Sequence, residues 1–117
     1  MKHNFKKLDI WIESMDLVID TYAMTKTFPS EEKFGLVSQL NRCSVSIPSN
    51  IDEGTSKSSD KHFKNYLETA IGSAFEWETQ LIIAMRLGFI EQNLFKELEG
   101  KINKIQNKIF KFMQTLN

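Results

Sequence analysis

Apolar residues recur along this chain at intervals of three and four rather than two, and the phase of that recurrence predicts four helices and no strand. Leu8, Trp11, Met15, Val18 and Tyr22 set the apolar stripe of helix one. The segment TFPSEE then breaks the pattern: Pro29 disfavours helical geometry at Phe28, and Ser30 ahead of Glu31 and Glu32 is a candidate N-cap for helix two with acids in its first turn. From Leu36 the stripe continues through Leu40, Cys43, Ile47 and Ile51 and passes Pro48 without losing phase. A proline inside a helix removes one backbone hydrogen bond and crowds the preceding turn, at a cost of about 3 kcal/mol when unsupported. Continuity of phase therefore predicts a helix kinked at Pro48, with the hydroxyls of Ser44, Ser46 and Ser49 available to backbone groups near the bend.

Gly54 reads as the C-cap of helix two, and Ser58 or Ser59 as the N-cap of helix three. Helix three carries Phe63, Leu67, Ala70, Ala74, Trp77, Leu81 and Ala84 on one stripe and ends at Gly88, a span of about 28 residues or roughly 40 Å. Gly72, beside Ser73, reads as a site of close helix packing. Helix four repeats the pattern with Leu94, Leu98, Ile102, Ile105, Ile109, Phe112 and Leu116. Four helices, short turns and no repeat of solenoid period predict an all-α, up-down-up-down four-helix bundle occupying residues 1–117 as one domain.

Composition narrows the function. With 117 residues, 41% hydrophobic and 26% charged, the chain can bury one core and has neither a disordered nor a membranous composition. The segment LIIAM is typical of its apolar runs, far below the roughly 20 residues that cross a bilayer, and Asp9, Glu13 and Asp16 interrupt the segment where a secretion signal would need an apolar run. The single cysteine, Cys43, cannot form an internal disulfide, which fits a reducing cytoplasm, and its place on the apolar stripe reads as packing. His3 and His62 stand at no metal-ligand spacing with each other or with Cys43, there is no Glu-x-x-His motif, and Ser46 and Ser49 lie in no nucleophile elbow. Glu76 and Glu78, two apart, point to different sides of a helix. No catalytic, metal or cofactor residue is assigned, and the expectation is a protein that is not an enzyme.

Charge placement says more than charge total, which is zero from 15 bases and 15 acids. Asp9, Glu13, Asp16 and Asp20 form an acidic ridge on helix one, while Lys101, Lys104, Lys108 and Lys111 form a basic ridge on helix four. Like charges at this spacing repel by a few tenths of a kcal/mol per pair, so counter-charges should relieve them. Three readings stay open: the ridges are solvated or pair within one subunit, they pair between subunits head to tail, or the lysines bind phosphate. Helix two adds a polar line, Arg42, Ser46, Ser49 and Glu53 with Asn50 alongside, whose small groups suit close approach by another surface. These five residues, Lys57 and the four ridge lysines are the candidate contacts for a partner or RNA.

The segment FPSEEKFGLVSQLNRCSVSIPSNIDEGTSKSS resembles the signature F-P-x-x-E-x-F-G-L-x-x-Q-L-R-R-A-x-x-S-I-P-x-N-I-A-E-G of the four-helix-bundle family named for proteins encoded in intervening sequences of bacterial 23S rRNA genes. The similarity continues through FKNYLETAIGSAFEWETQLIIAMRLGFI and so covers most of the chain. The resemblance implies a bundle that assembles as a closed ring, typically a pentamer, without known enzyme activity. It also implies kinship with the accessory protein of diversity-generating retroelements, which binds a reverse transcriptase and nucleic acid through basic surface. Asn41 stands where the family often has an arginine, and Asp52 replaces the alanine before Glu53. The first departure removes a positive charge and the second adds a negative one. The expectation is a non-enzymatic homo-oligomer that contacts RNA or an RNA-associated protein, or else a structural assembly with no nucleic-acid ligand.

Overall fold

The computed structural model describes residues 3–117. Four helices carry the fold: α1 (Asp9–Thr25), α2 (Leu36–Thr55), α3 (Asp60–Arg86) and α4 (Gln92–Gln114), with single 3-10 turns at Phe5–Lys7 and Ser30–Glu32. There is no strand among the described residues. Each helix packs on its neighbours in sequence, and α1 also packs on α4, so the four surround one core in a molecule about 44 Å long.

All seven stripe residues predicted for α3 are buried, with Trp77 and Leu81 completely so. The α2 stripe is equally sound at Leu40, Cys43, Ile47 and Ile51, and α2 continues through a buried Pro48. Around that proline the Ser44 hydroxyl donates to the Asn41 carbonyl (2.8 Å) and the Asn50 amide donates to the Ser46 carbonyl (2.8 Å). In α4, Leu98, Ile102, Ile105 and Ile109 are buried as expected, Leu94 and Phe112 flank them, Phe95 joins the core, and Leu116, expected on the same helix, is buried just past its end.

Helix one departs from expectation by one residue, a rotation of about 100°, although Leu8 and Trp11 of the expected stripe still pack against the core. Its buried face is Ile10, Ser14, Leu17, Thr21 and Met24, while Met15 and Tyr22 are exposed. Two hydroxyl residues therefore sit in the core, and each donates one turn back, Ser14 to the Ile10 carbonyl (2.5 Å) and Thr21 to the Leu17 carbonyl (2.6 Å). A hydroxyl satisfied in this way can be buried without an orphaned polar group. Thr21 also accepts from the indole N–H of Trp77 (3.2 Å) and so ties α1 to α3.

The helix ends bring further corrections. Ser30 opens only a 3-10 turn, and α2 starts after Gly35, whose backbone (φ −107°, ψ −112°) departs from helical values; the Glu32 carboxylate accepts from the Leu36 N–H (3.2 Å). Gly54 is not a cap but a buried position inside α2. A Cβ there would stand 2.7 Å from the Phe63 ring and 3.0 Å from the Tyr66 Cβ, so the absence of a side chain sets the α2–α3 approach. Gly72, expected to serve that purpose, is exposed with nothing within 4 Å of its would-be Cβ. Ser59 caps α3 by accepting from the His62 N–H (3.2 Å). Gly88 ends α3 as expected: its φ of +80° allows Gly88 N–H to reach the Met85 carbonyl and Phe89 N–H to reach the Ala84 carbonyl, the paired bonds of a Schellman motif. At the opposite pole, His3 and Phe112 both meet the Phe63 ring edge-on at 5.4 and 5.6 Å.

Candidate interaction surface

The acidic ridge of α1 and the basic ridge of α4 lie side by side within one subunit. Lys101 donates to Asp20 at 2.6 Å, Lys104 stands 3.8 Å from Glu13, and Lys108 is bonded to the same Glu13 carboxylate. The bond to Asp20 raises the Lys101 pKa, and the bond to Glu13 does the same for Lys108. Such half-exposed pairs add little stability, but they neutralise the seam. Lys111 stays exposed, with no acid at ion-pair distance among the described residues.

The polar line of α2 divides in two. Ser46 and Ser73 share a hydrogen bond (2.8 Å) across the α2–α3 contact, and the Asn50 amide donates to Ser46, so these groups serve packing within the subunit. Arg42, Ser49 and Glu53 remain on the outside. Lys57 follows α2 and lies over the Tyr66 ring, 4.9 Å from its centroid. The structure thus does not bring the ten candidate residues together: the lysine ridge lies along α1, and the α2 residues face α3 or solvent.

Glu76 and Glu78 point to opposite neighbours, as their spacing requires. Glu76 accepts from Gln80, whose amide also reaches Gln39 across the α2–α3 contact (3.3 Å each). Glu78 accepts from Asn103 (3.1 Å) and Gln106 (2.9 Å) on α4. Beneath the first of these clusters Cys43 is 2% exposed; burial, helped by the charge of Glu76, pushes its thiol from 9.0 up to about 11. The folded protein should therefore hold about a hundredfold less thiolate than the unfolded chain near neutral pH, before shielding adds its share. Modification of Cys43 by a disulfide reagent at pH 8 is expected to be at least a hundredfold slower in buffer than in denaturant, with a comparable rate in both counting against a packed thiol.

What sequence reading missed is the apolar surface. Ile12, Met15, Ile19 and Tyr22, spaced by three, four and three, form a second stripe on α1 that faces away from the core, with Ile19 67% exposed. That spacing was visible in the sequence as a rival phase. Phe75 and Phe110 meet on the outer side of α3 and α4 (6.4 Å). Phe34, before α2, is 89% exposed, and Ile83 and Leu87 at the end of α3 are exposed as well. Helix α1 is thus apolar on its core side and again on its outer side, with the acidic ridge between them.

The arrangement has known counterparts. Residues 6–111 match the family described as 23S rRNA-intervening sequence protein. The chain belongs to that family. A crystal structure of a protein of unknown function from the S23 ribosomal protein family of Bacteroides thetaiotaomicron superposes on this member of the intervening-sequence family with a TM-score of 0.83 at 23% identity, over 89% of this chain and 97% of the other. At that identity the likeness is one of fold. No curated protein matches the chain in sequence. In this family member no helix is long and apolar enough to cross a membrane, and no group of three or more His, Cys, Asp or Glu could hold a metal ion, among the described residues.

Proposed function

We propose that the chain works as a non-enzymatic interaction module, an up-down-up-down bundle with its second helix bent at Pro48, which assembles with copies of itself as a closed ring, a pentamer by family resemblance. Partners across α2 and α3 run oppositely in number, Gln39 with Gln80 and Ser46 with Ser73, as antiparallel helices require. The observation that carries the reading is the outer stripe of α1: four large apolar residues spaced along one helix face, on a molecule whose net charge is zero, so that copies do not repel. Glu13 and Asp20 of α1 and Lys101, Lys104 and Lys108 of α4 engage each other within one chain, so the contact between copies is argued from the apolar stripe and not from these groups.

Light scattering at tens of micromolar is expected to give a mass several times that of one chain, unchanged between low and high salt because apolar burial dominates; a monomer would end this reading. RNA or an RNA-associated protein is the second reading. It draws on Lys7 and Lys111, which line one surface depression with Lys108 and a single acid, Asp9, at the joint of α1 and α4. With Lys101, Lys104 and Lys108 already paired, few bases are left to release counterions, so RNA affinity should be weak and should fall as salt rises. The same preparation, measured for co-purifying nucleic acid, separates the module from an assembly without a nucleic-acid ligand.

A further inference from the structure

Two depressions open at the pole where α3 begins and α4 ends, and lysines line both. One, of about 430 Å³, holds Lys7, Lys108 and Lys111 together with apolar Leu8, Ile10 and Phe112. The other, of about 390 Å³, holds Lys57 and Lys61 beside Ser58 and Ser59. Phe112 lines the first and His3 and Phe63 line the second; the three rings pack edge-on with centroids 5.4 to 5.6 Å apart, so one aromatic ridge separates the two. His3 and Phe112 are partly exposed. Each depression holds one acid among the described residues. Asp9, in the first, adds its charge to that of Glu13 at Lys108, and Asp60, in the second, accepts from the Asn117 N–H (3.1 Å). Asp52 and Glu53 follow a turn earlier in α2. Lys7, Lys57, Lys61 and Lys111 are exposed, with no acid at ion-pair distance among the described residues. The other pole has no such excess: Glu31, Glu32 and Glu91 stand there with Lys26, Lys33 and Arg86.

Resting on the RNA reading above, we infer that a single-stranded RNA crosses the Phe63 pole, with phosphates on Lys7 and Lys111 in one depression and on Lys57 and Lys61 in the other, and an unpaired base against the ridge of His3 and Phe112. A basic path interrupted by aromatic rings suits a single strand, whose backbone meets the ammonium groups while a free base lies on a ring. A duplex keeps its bases stacked inside and leaves such a ridge unused. Lysine is a point charge on a flexible stem and reads no base, so the contact tolerates any sequence. The molecule is only 24 by 20 Å across its long axis, so the pole admits a short stretch of strand and the affinity is modest. Four lysine–phosphate contacts give a slope of about −3 for log affinity against log salt.

Fluorescence anisotropy of a dye-labelled oligouridylate at low salt tests this with the full chain. Three double variants are compared with wild type: Lys7→Glu with Lys111→Glu, Lys57→Glu with Lys61→Glu, and, as a control of equal charge change at the other pole, Lys33→Glu with Arg86→Glu. All six positions are exposed, and wild-type circular dichroism is expected throughout. Each of the first two pairs should weaken binding at least about tenfold and flatten the salt slope by more than about 1, while the control stays within about threefold of wild type. A duplex RNA of the same length should bind more weakly than the single strand. Wild type that binds no RNA removes the RNA reading and this site with it. RNA binding that the control weakens as much as the other pairs overturns the site and leaves the RNA reading standing. Loss with one pair alone overturns the path across both depressions, and a duplex bound as tightly as the single strand overturns the part given to the ridge.

Discussion

Trp77→Ala is expected to lower the unfolding free energy by about 3–5 kcal/mol, a large part of what a domain of this size possesses. The indole is fully buried at the centre of α3 and reaches across the core to α1, where its N–H donates to the Thr21 hydroxyl. Alanine leaves a cavity bounded by well-packed neighbours and removes the donor to Thr21, whose own hydroxyl still donates to the Leu17 carbonyl. The buried threonine thus keeps one bond, and the loss is dominated by packing. Urea titration followed by circular dichroism measures it. Trp77→Phe, which keeps most of the apolar volume, should cost clearly less, and an alanine variant within about 1 kcal/mol of wild type would contradict a core organised on this residue.

The second large effect concerns glycine. Gly54→Leu is expected to destabilise by roughly 3 kcal/mol or more, and even Gly54→Ala by about 1–3 kcal/mol, because the first added carbon already overlaps the Phe63 ring and the Tyr66 Cβ. Neither neighbour yields easily: the Tyr66 Cβ is fixed to the α3 backbone, and the Phe63 ring is buried against Phe112 and His3. Gly72→Ala should do the reverse and stabilise by about 0.5–1 kcal/mol, since the position is an exposed helix interior with open space around it. Thermal melts of the two alanine variants are expected to move in opposite directions; equal shifts would mean that the helix contact is not where the structure places it.

Those two glycines mark the limit of what the chain reveals before it folds. Period alone located α3 to within its cap, because a long helix with one apolar stripe has one way to face a core. It also carried α2 through Pro48. Period misjudged α1, which offers two apolar phases, and the phase that wins includes Ser14 and Thr21, residues that count as polar until their hydroxyls are seen bonded to backbone. The glycines could not be sorted from sequence either, since whether one lies at a helix crossing depends on which neighbour it meets. The charge ridges were legible as ridges, but that α4 answers α1 inside one subunit is a fact of tertiary arrangement. The exposed apolar residues were countable from the start; only the fold showed which of them are left outside.

The Phe63 cluster has a practical consequence for how the molecule can be joined to other things. His3 lies against Phe63 and Phe112, and the Asn117 backbone N–H is bonded to Asp60 at the start of α3, so both described ends of the chain leave from one pole. Phe34 lies at the other pole, the length of α2 away. Residues 3 and 117 therefore both lie on the side remote from Phe34. A fluorescent reporter or fused enzyme on either end would be attached at the Phe63 end, without obstructing the aromatic at the far tip.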